Sequence, residues 1–345
     1  MIDTPHTLAV RRSLRRFLDE YAGRLGGRTG AEVVCGVSGG GDSVALAAAC
    51  VHAGLQVTTV TVDHGLQDAS AQVAEDAARA CAGVGARATT VRVQVTGTGE
   101  AGARVARYRA LGEYADGRPV FVAHTADDDA EGLLLSLARG SGTGSLAGLR
   151  EVAEEHPVVD AGAAWLGRPL LGVSRADTLG SCAELGLPVW HDPHNESPEI
   201  LRSRVRNELL PLAREILGDR VGEALARSAR MLRQDADLLD ALAAEVLQDV
   251  PGDAGDSALP VDAVAGRAAP LRRRVLRRWL GGAAGPLTSR HLDALDALVA
   301  DWHGQGGVAV PYPTSTMGDT RRLVVRRRRT DTGSKLVLEQ EDRTP

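Results

Sequence analysis

Between residues 32 and 139 the apolar positions fall into two alternating kinds of run. Short stretches rich in β-branched residues, at 32–38, 56–63, 88–95 and 119–124, predict strands. The stretches that follow each of them, 43–53, 69–83, 100–114 and 127–139, are patterned for helices, and about residues 7–25 predict an amphipathic helix ahead of the first strand. Strands joined by helices of this length make right-handed crossovers. The expected fold is therefore α/β: a Rossmann-like parallel sheet with helices on both faces, its ligand crevice at the carboxyl ends of the strands.

Beyond the alternating part, one long helix is expected over about 219–249. Val221, Leu225, Met231, Leu232, Leu238, Leu239, Leu242 and Val246 recur there at helical spacing, and a Pro/Gly/Asp break follows at 251–257. A small module then shows helical patterns at 270–280 and 289–303 and strand-like alternation across 307–328. The expected organisation is a catalytic domain over 1–217, a linker helix and break over 218–257, a small, mainly helical C-terminal domain over 258–330 and a tail over 331–345.

With 345 residues, 43% of them hydrophobic, the chain is long enough for two cores. A net charge of −5 argues against a nucleic-acid partner only until it is divided. Residues 266–330 carry thirteen arginines and four acids, or +9, so the remainder carries −14. A basic module attached to an acidic one suits phosphate-backbone contact, with a solvated arginine-rich surface as the alternative. Cys35, Cys50, Cys81 and Cys182 form no C-x-x-C pair and no metal spacing, which points to a reduced, cytoplasmic protein. No run of 18 apolar residues is present for a membrane span.

The most informative loop is Ser38-Gly39-Gly40-Gly41-Asp42-Ser43, where a strand breaks into a helix. Successive glycines let backbone N–H groups approach a pyrophosphate, and the helix N-terminus adds a positive dipole end. A Walker loop would need a lysine, and the sole lysine is Lys335, so kinase and GTPase chemistry are excluded here. Asp42 is the candidate Mg2+ or pyrophosphate-organising carboxylate, with a helix N-cap as the alternative. After the fourth strand come His124, Asp127 and Asp128. Adjacent carboxylates suit an ammonium group, a metal or deprotonation of that ammonium; alternatively Asp127 caps its helix and Asp128 faces solvent. Asp63 and His64 lie where such folds receive adenosine, or in a plain turn. Arg104 and Arg107 share a helical face and suit phosphates or a base, or else structural ion pairs. Trp190 suits stacking on a base or anchoring a loop.

These segments resemble the tRNA(Ile)-lysidine synthetase family of the PP-loop ATP pyrophosphatase superfamily. The likeness rests on SGGGDS (38–43), VDHGL (62–66), Ala103-Arg104-Val105-Ala106-Arg107-Tyr108, AHTADD (123–128) followed by Glu131, and Arg168-Pro169-Leu170-Leu171. It continues through His191-Asp192-Pro193-His194-Asn195 and Arg202-x-x-Val205-Arg206 ahead of Leu209-Leu210-Pro211. It departs from the family pattern at Asp129, Gly132 and Ser203. The resemblance implies ATP and Mg2+, free L-lysine, and tRNA(Ile) with a CAU anticodon, whose wobble cytidine is adenylated at its C2 oxygen and then takes the lysine amine at C2. It also implies the short form of the family; a homodimer is compatible with the sequence but not dictated by it. By the same resemblance Asp42, His124, Asp128 and Arg104 are catalytic, and Ser38, Gly39, Gly40, Gly41, Asp42, Ser43, Asp63 and His64 bind ATP. Asp127, Asp128 and Glu131 take lysine or Mg2+, and Arg107, Arg202 and Arg206 contact tRNA. The motif likeness covers about residues 30–215, and it is the basic cluster, in which Arg274, Arg277 and Arg278 share one helical face, that places these three on tRNA phosphates.

Two other classes compete. A related PP-loop enzyme that thiolates tRNA would call for paired cysteines or a cluster site, and one that amidates with glutamine for a glutaminase domain. A non-catalytic nucleotide sensor or RNA-binding protein would lack ATP-dependent pyrophosphate release.

Overall fold

The structure, a computed structural model, describes residues 4–27, 30–63, 65, 70–93, 99–140, 142–190, 199–250, 258–312, 321–331 and 333–342. It has two compact units, Met1–Arg139 with Gly148–Arg230, and Gly140–Ala147 with Met231–Pro345.

The first unit opens with α1 (Pro5–Glu20), then β1 (Glu32–Val37), α2 (Gly41–His52), β2 (Gln56–Asp63), α3 (Ser70–Gly83), β3 (Arg87–Arg92), α4 (Gly99–Ala115), β4 (Val120–Phe121) and α5 (Ala126–Ala138). After α6 (Thr143–Leu146), which belongs to the second unit, come β5 (Val152–Ala153), α7 (Pro157–Asp160), β6 (Leu166–Gly167), α8 (Arg175–Glu184), α9 (Leu201–Arg204) and α10 (Leu210–Leu217). The sheet runs β3-β2-β1-β4-β6-β5, parallel except for the antiparallel edge strand β5.

Alternation along β1 explains why both faces are covered. Val33, Cys35 and Val37 pack with Val10, Leu14 and Phe17 of α1 and Leu46 of α2. Val34 points the other way, among Tyr108 and Leu111 of α4 and Val158 of α7. The chain leaves β1 for β2 on one side and later returns to β4 on the other, so the topological switch lies between β1 and β4. The loops after these two strands share one crevice.

The long helix α11 (Val221–Gln248) begins in the first unit and continues into the second. The second unit adds β7 (Ala258–Pro260), α12 (Asp262–Ala265), α13 (Ala269–Leu280), α14 (Ser289–Ala300), β8 (Val308–Val310), β9 (Arg321–Thr330) and β10 (Gly333–Asp342). The three helices are accompanied by an antiparallel sheet, β7-β10-β9-β8, so this unit is not merely helical. The segment expected as a tail supplies β10, paired with β9 along its length, and its Leu336 is wholly buried beside Val275, Leu295 and Val325. The inner face of α11 also differs from the one its larger apolar residues predict: Ala229, Ala236, Ala243 and Val246 are buried, whereas Met231 and Leu238 are exposed.

Candidate active site

The glycine loop is built from its own backbone and hydroxyls. Gly39 has φ +87°, and a Cβ there would lie 3.2 Å from the Ala77 Cβ; at Gly41 a Cβ would meet Leu179 Cδ2 at 2.5 Å. Glycine is needed at the first for conformation, whereas at the second a Cβ would displace the tip of the Leu179 side chain. Ser43 Oγ donates to the Gly40 carbonyl at 2.8 Å and accepts the Ser38 N–H at 3.2 Å, which draws the loop closed. Trp190 anchors it from outside, its N–H donating to the Gly39 carbonyl at 3.0 Å.

Gly40, not Asp42, occupies the N-cap of α2. Asp42 lies in the first turn, and its carboxylate accepts the Thr178 hydroxyl and, at 3.2 Å, Arg175 Nε. Burial raises its pKa, with Arg175 and Thr178 opposing. At the end of β2, Asp63 is buried and its Oδ1 accepts the Gly65 N–H at 2.9 Å, a turn-forming bond. His64 lies outside the described residues, as does His191-Asp192-Pro193-His194-Asn195.

At the start of α5 the capping role falls to Thr125, whose N–H and hydroxyl both donate to Asp128 Oδ2, at 2.8 and 3.0 Å. The other oxygen, Asp128 Oδ1, shares the arginines Arg175 and Arg202 with Glu131, which lies one turn along the same helix. Asp127 receives the backbone N–H of Arg175 at 2.7 Å and Arg214 Nη2 at 3.4 Å. Asp129, where the family pattern is departed from, accepts the Leu149 N–H at 2.8 Å.

Three arginines converge on this acidic face. Arg175 donates Nη1 to Glu131 at 3.1 Å and Nη2 to Asp128 at 3.3 Å. Arg202 reaches Glu131 at 2.8 Å and Asp128 at 3.2 Å, and Arg206 makes a two-pronged contact with Glu131 at 2.7 and 3.0 Å. Burial would raise Asp128 and Glu131, but for Asp128 the charge of Arg175 and the Thr125 N–H, and for Glu131 the charges of Arg206 and Arg175, hold both below the usual carboxylate range. Arg202 and Arg206, expected on tRNA, thus sit within the acid cluster. Sequence reasoning alone does not single out Arg175. Its signal is its place at the first position of α8, where a cation opposes the helix dipole unless carboxylates face it.

On α4, Arg104 and Arg107 lie over the Tyr108 ring, their Cζ atoms 5.0 and 5.2 Å from its centroid. Neither pairs with a carboxylate among the described residues. His156 meets the same ring edge-on at 4.4 Å. His124 Nδ1 and the Tyr108 hydroxyl are buried without a hydrogen-bond partner among the described residues. Burial lowers His124 to about 3, and burial with Arg168 and Arg104 lowers His156 to about 4. Both rings are therefore neutral at pH 7.

In the second unit the basic cluster is largely committed. Arg274 pairs with Asp240 at 2.5 Å and donates to the Thr143 hydroxyl at 3.0 Å, leaving its side chain 10% exposed. Arg272 is bound to Asp296, Arg273 to Asp293, and Arg322, Arg326 and Arg328 to Glu339 or Glu341 of β10. Arg277 and Arg278 are exposed and form no ion pair among the described residues. No group of three or more His, Cys, Asp or Glu side chains among the described residues is arranged to hold a metal, and no helix among them is long and apolar enough to cross a membrane.

Residues 7–213 match a family model described as a PP-loop domain, and residues 259–330 one described as the TilS substrate binding domain. The chain is similar to the tRNA(Ile)-lysidine synthase of Nocardia farcinica, 47% identical over 97% of this chain and 99% of that protein. It is also similar to the protein of the same name from Mycobacterium bovis, 48% identical over 85% and 87%. Among solved structures it resembles the U34-tRNA thiolase NcsA of Methanococcus maripaludis, with a TM-score of 0.51 and 18% identity over 65% of this chain and 78% of that one, a likeness of fold. With a glycine loop and an acid face at one switch point, and similarity along nearly its whole length, this chain belongs to the tRNA(Ile)-lysidine synthase family.

Proposed function

We propose that this chain ligates free L-lysine to C2 of the wobble cytidine in the CAU anticodon of tRNA(Ile), consuming ATP and releasing pyrophosphate and AMP. The observation that carries the reading is the convergence of Asp42 from the glycine loop with Asp128 and Glu131 from α5 at the carboxyl ends of β1 and β4. A phosphate cradle and a cation-binding face then serve one crevice.

In the first step the cytidine C2 oxygen attacks the α-phosphorus and pyrophosphate leaves. The loop from Ser38 to Ser43 offers N–H and O–H donors to the departing phosphates. Mg2+ fits in one limited sense. The protein offers the single carboxylate of Asp42 and, among the described residues, no cage, which suits an ion held mostly by nucleotide phosphates and water. When bound, the ion neutralises phosphate charge; Asp42 would hold it.

In the second step the lysine ammonium gives a proton to water, the neutral ε-amine forms the C2–N bond, AMP leaves with the former C2 oxygen, and the proton then lost from that nitrogen also passes to water. Asp128 and Glu131 are held ionised below the usual range, so they suit an ion pair with the ammonium better than proton abstraction. Neutral His124 suits hydrogen bonding to the base, and Arg104 supplies positive charge beside it. Contact with tRNA through the second unit, and residence in the cytoplasm, complete the reading. The test is incubation with ATP, Mg2+, labelled lysine and a CAU-anticodon tRNA(Ile) transcript. Label in the wobble nucleoside is expected, and a thiolated nucleoside or unlabelled tRNA rejects the reading.

A further inference from the structure

Arg175 spends every nitrogen of its guanidinium on a different carboxylate: Nε on Asp42 at 3.2 Å, Nη2 on Asp128 at 3.3 Å and Nη1 on Glu131 at 3.1 Å. Its backbone N–H is tied to Asp127, so the residue is fixed at its root while its planar head spans the crevice. Asp42 belongs to the nucleotide side of that crevice and Asp128 and Glu131 to the amino-acid side. No other described residue bridges the two in this way. An ammonium placed between Asp128 and Glu131 would meet the guanidinium already there, and a divalent cation at Asp42 would repel the Nε end of the same group. Deprotonation offers no escape, because the three carboxylates raise the pKa of Arg175 further. The group must move.

We propose that Arg175 is an internal counter-cation that couples the two substrate sites: it fills the ammonium position while the nucleotide is absent and leaves it when Mg2+-nucleotide arrives at Asp42. The planar fork makes the coupling. Its three contacts depend on one orientation, so a push at Asp42 and the pull of nucleotide phosphates withdraw the two Nη atoms from Asp128 and Glu131 together. Arg202 and Arg206 remain on those carboxylates and keep the site folded. Lysine therefore binds more tightly after nucleotide, and by linkage nucleotide binds more tightly after lysine by the same factor. This inference rests on the functional reading above.

Calorimetric titration of the full chain with L-lysine, with and without Mg2+ and a non-hydrolysable ATP analogue, tests it. Wild type should gain on the order of tenfold in lysine affinity when nucleotide is present. The reciprocal titration on the same wild-type protein should return the same factor. In Arg175→Gln the factor should fall to about one, with nucleotide-free lysine binding tighter than in wild type. Arg175→Lys keeps a positive charge for folding but lacks the three-armed fork, and should lose most of the coupling. A wild-type factor of about one, or undiminished coupling in both variants, overturns the proposal. A wild-type chain that binds nucleotide but no lysine under either condition rejects the functional reading instead, and this inference with it.

Discussion

Asp42 stands in the first turn of α2, directly after the glycine loop, gripped by Thr178 and Arg175. Asp42→Asn keeps the size and the hydrogen bond from Thr178 but removes the charge. It should leave thermal melting close to wild type while lowering ATP-dependent pyrophosphate release by ~10²–10³-fold; near wild-type release would remove Asp42 from the chemistry. His124 makes a different prediction. Its folded pKa of about 3 lies below the ordinary value of 6.5, so between these limits the unfolded chain binds a proton that the native state does not. Stability therefore falls on acidification through that window, by up to about 1.4 kcal/mol per pH unit, and His156 adds a slope of the same sign between 6.5 and about 4. His124→Asn should flatten the pH dependence of urea unfolding between about pH 4 and 7, and an unchanged slope would contradict the burial that lowers the ring. Residue types and the order of motifs made Asp42, Asp128 and Glu131 legible from sequence. Arg175 was not, because its partners at 42, 128 and 131 are remote in the chain and only the fold brings them together.

Helix α8 joins the chemistry to the opening helix. Its first turn supplies Arg175 and Thr178 to the acid cluster, while Glu184 at its end receives the Thr4 hydroxyl, the Thr7 hydroxyl at 2.7 Å, and the N–H groups of His6 and Thr7 at 3.3 and 2.8 Å. A carboxylate so placed satisfies the free donors at the start of α1 and complements its dipole. These bonds to Thr4 and Thr7 outweigh desolvation and lower Glu184 to about 2 from an ordinary 4.5. The stabilisation is accordingly full above about pH 4.5 and is lost as pH falls through about 2. Glu184→Gln should lower the melting temperature at pH 7 and converge with wild type near pH 2; a difference constant across that range would assign its effect to packing. The strand and helix pattern of the first unit was readable because a parallel sheet buried on both faces demands apolar runs. β10 was not, since Glu339, Gln340, Glu341 and Asp342 look like a solvated tail until β9 is set beside them and its arginines find those acids. In α11, alanines buried at seven-residue intervals were outvoted by larger apolar residues that face outward.

Across the whole molecule the charge asymmetry survives, but its distribution changes what it can do. The arginines of 266–330 are not a free field, because Asp240, Asp293, Asp296, Glu339 and Glu341 engage Arg274, Arg273, Arg272, Arg326 and Arg322 in turn. Three adjacent cations on one face of α13 therefore become two: Arg277 and Arg278 stay exposed, while Arg274 is turned inward to Asp240 and Thr143. Ion pairs already made in the protein release no counterions when a polyanion binds, so phosphate contacts must come from cations that remain open. Arg277→Ala with Arg278→Ala should weaken tRNA binding irrespective of sequence and reduce the slope of log K against log salt by about two, one for each phosphate no longer neutralised. Arg274→Ala should leave the slope within about half a unit of wild type, acting through the folding of its own unit, which the melting temperature of that variant will register. Preference for the wobble cytidine should be unaffected in both variants, because backbone contacts position RNA without reading bases. If instead Arg274→Ala alone takes one unit from the slope at unchanged stability, the Asp240 pair opens on binding and all three arginines act on phosphate together.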